Sequence, residues 1–297
     1  MDSDQAALQL CRQSDAFAVY NVSNPSIPIL ISVPHAGRDY PAGIIENLRL
    51  PADSLVRLED RYVDLLARGA VAAGVPVIMA KYARAWIDLN RDEQDIDAEM
   101  VAGLDRTELP SPSAKQRGGL GLIPRRLSGL GDIWKRSLER EDVEQRIGMV
   151  HRPYHAQIDQ ILSAMRRRFG AALLLDLHSM PPVDDKIIPD PPRFVIGDQY
   201  GRSASSRFSE LALSHIRMSG FAVNLNYPYA GDYILRRHGR PAANIHAIQL
   251  EVDRSLYLDE LLREPVDGVA RIAKLVTDLT QILADAVLDN DVPIAAE

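Results

Sequence analysis

Leu173-Leu174-Leu175-Asp176-Leu177-His178 is an apolar run that ends in an imidazole. A second run, Ile29-Leu30-Ile31-Ser32-Val33-Pro34-His35, ends the same way, and a third, Ala247-Ile248-Gln249-Leu250-Glu251, ends in a carboxylate. Short apolar runs bounded by turn signals read as buried strands of a parallel sheet. In open α/β sheets, ligands bind in the crevice outside the carboxyl ends of the strands. Two imidazoles and an acid, far apart in sequence, are therefore expected to converge on one sheet edge. That pattern suggests a metal hydrolase.

Outward from these runs, strand and helix signals alternate. Residues 16–22 and 28–35 read as extended segments. Leu55, Leu58, Tyr62, Leu65, Leu66 and Ala70 recur at helical spacing and predict one helix from Asp53 to about Ala73, capped by Asp53 or Ser54. Strands are expected at 75–80, at 85–91 or its end, at 194–198 and at 221–225. Helices are expected in two patches between 138 and 168, at 203–218 and at 262–288. Residues 92–132 begin acidic and become rich in Pro, Gly and Arg, and read as a long functional loop. No repeat or linker breaks the chain, so residues 1–297 are read as one α/β domain, a mixed, mostly parallel sheet flanked by helices.

Bulk properties narrow the function. The chain has 297 residues, 46% hydrophobic and 25% charged, an ordinary globular composition. A net charge of −7 argues against nucleic acid, whose affinity depends on Lys and Arg meeting phosphates. Cys11 is the only cysteine, which excludes an internal disulfide and a thiolate zinc site. Any zinc must be held by His and carboxylates. The opening Met1 to Gln5 is acidic and lacks a secretory pattern, and no apolar stretch approaches membrane-spanning length, so a soluble, cytoplasmic protein is expected. Assembly into a homo-oligomer stays open.

A catalytic zinc takes three protein ligands and keeps one position open. His35 and His178 supply two; the third is an acid from Glu59, Asp60 or Asp64, with Asp60 preferred and Glu59 the fallback. Glu251 has the type and placement of a general base and acid, or else pairs with Arg254. Arg91, closing Ile87-Asp88-Leu89-Asn90-Arg91-Asp92, offers a planar fork for a substrate carboxylate, or else ties its own loop. Arg125 and Arg126 lie in the Gly-rich loop, where one could clamp substrate or steady an oxyanion. Tyr229, Tyr233 and His238 could line the pocket. His151 and His155 stand four residues apart on a helix, but Pro153 interrupts and no Glu lies between, so His151 to His155 read as a helix start with packing duties or a role supporting the ligands. No nucleophile elbow, phosphate loop or dinucleotide fingerprint is present.

Several of these pieces resemble the N-formylglutamate amidohydrolase family: Val33-Pro34-His35-Ala36-Gly37, Asp60 with Val63-Asp64, Ile87 to Asp92, Gly121-Leu122-Ile123-Pro124-Arg125, Pro153-Tyr154-His155, Asp176 to Pro181, and His246 to Arg254. They run in order over residues 28–257. The family is similar in turn to zinc carboxypeptidases, and the resemblance implies a carboxypeptidase-like, phosphorylase/hydrolase-like fold. It further implies zinc, or another divalent cation, on His35, Asp60 and His178. Asn90-Arg91 would grip the substrate carboxylate, Glu251 would act as base and Arg125 would polarise the scissile carbonyl. One departure stands out: carboxypeptidases place the acidic ligand three residues after the first His, where this chain has Arg38. The implied reaction is hydrolysis of N-formyl-L-glutamate to glutamate and formate, a late step of histidine breakdown, with another small acyl group as an alternative. The rivals are a zinc carboxypeptidase or amidase acting on peptides and a relative that binds without cleaving.

Overall fold

The computed structural model describes residues 10–13, 15–186 and 188–289; the acidic amino-terminal stretch lies outside them. Its strands are β1 (Leu10–Gln13), β2 (Phe17–Tyr20), β3 (Ile29–Val33), β4 (Val77–Ala80), β5 (Arg126–Leu127), β6 (Gly131–Asp132), β7 (Ala172–Met180), β8 (Phe194–Gly197), β9 (Val223–Leu225) and β10 (Ile245–Asp253). Eight of them form one sheet in the order β1-β2-β4-β3-β7-β10-β8-β9. Strands β4, β3, β7 and β10 run parallel at its centre, while β8 and β2 pair antiparallel with β10 and β4. The architecture is a mixed, mostly parallel sheet flanked by helices.

The three runs that end in His35, His178 and Glu251 are thus neighbours, β3-β7-β10. Each is buried over its whole length, because both faces of the sheet are covered. Side chains alternate between faces along a strand. Leu173, Leu175 and Leu177 of β7 enter a core shared with α2 (Val63–Ala72), α6 (Ser206–Met218) and α8 (Gly268–Leu288). Ala172 and Leu174 enter the opposite core, against α5 (Arg152–Phe169) and the 92–132 excursion. Asp176 and His178 share that second face by parity, as do Gln249 and Glu251 with Ala247 on β10. Among the described residues, no helix is long and apolar enough to cross a membrane.

The structure differs from the sequence reading in several places, each with a local cause. The helix expected over 53–73 is broken: a 3₁₀ segment spans Ala52–Leu58 and α2 starts at Val63. Between them the Asp60 amide donates to the His35 carbonyl at 3.0 Å, and Tyr62 takes a left-handed φ of 57°. Neither Asp53 nor Ser54 caps the 3₁₀ segment, whose N-cap is Pro51. Residues 85–91 form no strand; the Asp88 amide finds the Leu122 carbonyl of the excursion instead, at 2.7 Å. The two helical patches after 138 are continuous: α4 (Arg140–Arg146) runs through a π turn at Ile147–His151 into α5, so His151 lies within this helical run rather than starting a helix. The last helix starts at Gly268, later than Leu262.

The excursion over 92–132 is also folded. It carries short 3₁₀ turns, a one-turn helix α3 (Ala114–Arg117) and the β5–β6 hairpin, anchored by buried Leu122, Ile123 and Leu127. Glycine is required where this backbone packs closely: at Gly119 (φ 84°) a Cβ would stand 2.5 Å from that of Arg126.

Candidate active site

At the end of β3, Pro34-His35-Ala36-Gly37 turns the chain under residue 82. A Cβ on Gly37 would lie 2.0 Å from the Tyr82 carbonyl oxygen, so only glycine fits this turn, two residues after His35. The His35 and His178 rings approach to 4.8 Å between centroids. Asp60 enters from the break between the 3₁₀ segment and α2. Its Oδ2 lies 3.0 Å from His178 Nδ1 and 3.6 Å from His35 Nδ1. Its Oδ1 accepts from Arg254 Nη2 at 3.0 Å. All three residues are buried.

A second layer of carboxylates orients the two imidazoles. His35 Nε2 donates to Asp88 Oδ1 at 2.7 Å, and His178 Nε2 donates to Asp176 Oδ2 at 2.8 Å. Asp176 is held in turn by the Ser32 hydroxyl at 2.8 Å, and Asp88 by Arg84 Nε at 2.7 Å. With the Nε2 protons committed, both Nδ1 atoms present lone pairs to the Asp60 carboxylate. Lone pairs do not face a carboxylate in a buried space unless a proton or a cation lies between them. His35 Nδ1 makes no hydrogen bond although it is buried. One donor atom from each of His35, Asp60 and His178 falls within 4.8 Å of the others. Two imidazole nitrogens and one carboxylate oxygen, each imidazole backed by a carboxylate, are the donor set of a zinc-type site. The residues fit the group.

The charges here are strongly displaced. Burial pushes Asp60 upward, but its hydrogen bond with His178 and the charges of His35 and His178 hold it well below the usual carboxylate range. Asp88 is likewise pulled down against its burial, by Arg84, His35 and Arg91. Burial lowers His178, yet Asp176, Asp60 and Glu251 together raise it well above an ordinary histidine. Glu251 goes the other way: burial pushes its pKa up to about 7, with Asp60 and Asp176 adding to the rise against His178 and Arg254. Glu251 pairs in register with His178, and its Oε1 accepts from Gln249 Nε2 at 2.9 Å. Arg254 turns to Asp60 and Ser179 rather than to Glu251.

His35, Asp60, His178, Gln249, Glu251 and Arg254 line a cleft of about 1480 Å³. Asn90, Arg91, Arg126 and Tyr229 line it as well. Asn90 Nδ2 lies 3.5 Å from His178 Nε2, and Ile234 N donates to its Oδ1 at 2.9 Å. Arg91 Nη1 reaches Asp232 at 2.7 Å and its Nε reaches the Leu120 carbonyl at 2.8 Å. Burial, then the charge of Glu251, raises Tyr229.

Three expected residues are not at the cleft. Arg125 is absent from the cleft lining and pairs with Asp97 at 2.8 Å and Glu99 at 2.6 Å, acids of the same excursion. Tyr233 and His238 belong to α7 (Tyr233–His238), which packs against α5: Tyr233 meets His155 edge-on and His238 stacks on it. The fallback ligand Glu59 is engaged elsewhere, with Tyr40 and Arg61. Sequence reasoning missed Asp88, Asp176 and Arg84. Asp176 carried a visible signal, since a carboxylate two positions before His178 on a buried strand shares its face. Arg84 lies where Arg125 was expected, its charge among Asp88, Asp60 and Glu251.

Comparison with known proteins agrees with this geometry. The family model described as N-formylglutamate amidohydrolase matches residues 27–258. The chain is 34% identical over 246 residues to N-formylglutamate deformylase of Pseudomonas putida, covering 79% of this chain and 83% of that protein. It is 29% identical, with the same coverage, to N-formylglutamate deformylase of Pseudomonas aeruginosa. The crystal structure of N-formylglutamate amidohydrolase from Ralstonia eutropha superposes with a TM-score of 0.85 at 31% identity, over 93% of this chain and 99% of the other. The chain belongs to the N-formylglutamate amidohydrolase family.

Proposed function

We propose that this chain is a zinc-dependent hydrolase that removes the formyl group from an N-formylated acidic amino acid, foremost N-formyl-L-glutamate, to give glutamate and formate. The observation that carries this reading is the His35–Asp60–His178 cluster beside a raised Glu251, in a chain 34% identical to an N-formylglutamate deformylase. His35, Asp60 and His178 would hold the cation, which supplies Lewis acidity when bound.

The remaining steps belong to the protein's own groups. Glu251, titrating near neutrality, takes a proton from the attacking water and returns one to the departing amine nitrogen. Gln249 engages Oε1 and so fixes the carboxylate plane. Arg84 steadies the charge that develops on the formyl oxygen. Asn90 and Arg91 orient the substrate α-carboxylate beside His178. Burial of the acid and imidazoles keeps bulk water from screening these charges.

Formate release from N-formyl-L-glutamate tests the reading. Glu251→Gln is expected to lower kcat by about 10²- to 10⁴-fold with cation content unchanged. Wild-type protein that releases no formate would overturn the proposed activity. A Glu251→Gln variant at full rate would overturn the role of Glu251.

A further inference from the structure

The cleft wall is rich in cations, and most of them are already paired. Arg84 meets Asp88 at 2.7 Å, Arg91 meets Asp232 at 2.7 Å, Arg126 meets Asp132 at 3.1 Å and Arg254 meets Asp60 at 3.0 Å. Lys115 differs. Its side chain opens into the same cleft and makes no hydrogen bond or ion pair among the described residues. It stands on α3 of the excursion and lines the cleft together with His35 and His178.

We propose that Lys115 reads the side-chain carboxylate of the substrate, and so makes this site selective for acidic amino acids. The inference rests on the deformylase reading and deepens it. A substrate such as an N-acyl glutamate carries two carboxylates separated by methylenes. The α-carboxylate is one carbon from the scissile amide nitrogen, so it must lie close to the cation cluster, where Asn90 adjoins His178. The second carboxylate reaches further out, and the excursion is the wall that it meets. A buried or half-buried carboxylate needs a charge partner there, and Lys115 is the cation on that wall with no acid already attached.

The local field agrees. Partial burial, then the like charges of Arg91 and Arg84, hold the Lys115 pKa below that of an ordinary lysine. The charges of Asp232 and Glu251 offset this only in part, and an incoming anion would relieve the rest. The excursion thereby acquires a role beyond covering the second core: it supplies the specificity group. The ammonium is a compact point charge on a flexible stem, suited to a carboxylate whose position varies with the side-chain rotamer.

Two substrates differing only in that carboxylate test the proposal. For N-formyl-L-glutamate, Lys115→Met is expected to raise KM about 10- to 100-fold. For N-formyl-L-glutamine the rise should be smaller by about tenfold, and Lys115→Arg should recover most of the loss. The fold of each variant is checked by its unfolding midpoint. Arg57 also lines the cleft without an ion pair among the described residues and serves as the comparator. Equal losses for both substrates in Lys115→Met, or discrimination that disappears in Arg57→Met instead, would overturn the assignment. Calorimetry with L-glutamate and L-glutamine separates this outcome from failure of the activity itself. If wild-type protein turned over neither substrate, a glutamate preference abolished by Lys115→Met would still support Lys115. Absence of that preference would overturn it.

Discussion

Two groups of histidines in this chain show how neighbours decide what an imidazole does. His35 and His178 sit at the sheet edge among Asp60, Asp88 and Asp176. His151, His155 and His238 are equally buried but pack ring against ring, with His238 stacked on His155 and His151 tilted against it. In the first group the carboxylates raise His178 well above its ordinary value. In the second, burial comes first and then the charges of His151 and His238, and together they drive His155 well below 6.5. The first group is built to meet positive charge, a proton or a divalent cation. The second stays neutral and fastens structure: His155 Nδ1 and His238 Nε2 share a hydrogen bond at 2.9 Å, and His151 donates to the Arg91 carbonyl at 2.8 Å. The stack therefore supports the loop that carries Asn90 and Arg91 from behind.

The sharpest break between the groups should come from alanine. His178→Ala is expected to take formate release to the assay floor and to abolish stoichiometric cation binding. His238→Ala should retain the cation while losing about 1–3 kcal/mol of stability, because His155 and Asp159 lose their partner. Urea unfolding and metal content measured on both variants decide this. Equal loss of cation in the two would erase the distinction.

A milder change probes how the carboxylates make the difference. Asp176→Asn leaves the shape of the site but removes the charge behind His178, and cation affinity should fall about 10- to 100-fold. Chelator competition measures it, and an unchanged affinity would mean that the carboxylate does not tune the imidazole.

The smallest and broadest effect is on acid stability. His151, His155 and His238 are all depressed in the folded state, with burial the first cause in each. Below pH 6.5 the unfolded chain protonates these groups while the native stack resists, so stability falls with falling pH. Each contributes a slope of about 1.4 kcal/mol per pH unit between its unfolded and folded values. His238→Ala should flatten that slope, whereas His178, whose pKa is raised, contributes stability in the opposite sense.

Much of the central sheet was legible because its strands are buried on both faces and read as continuous apolar runs. The same runs exposed His35, His178 and Glu251 at their ends. Asp60 was harder: periodicity favoured an unbroken helix, whereas the chain breaks there, with the Asp60 amide on the His35 carbonyl and Tyr62 left-handed. Asp88 and Lys115 were invisible as site residues because their placement depends on how the excursion folds back, which local pattern does not encode. His238 and Tyr233 looked like pocket residues because they follow the cleft-lining Tyr229 loop, but helix α7 turns them into the α5 packing. Arg125 was drawn away by two nearby acids, Asp97 and Glu99, whose pairing no spacing rule predicts.

The central claim is that one divalent cation is shared by His35, Asp60 and His178. Its most direct test is the metal content of the purified protein, measured together with formate release before and after chelation. The account predicts one divalent cation per chain, loss of activity when it is stripped and recovery when zinc is returned. Full activity in protein free of cation would contradict it.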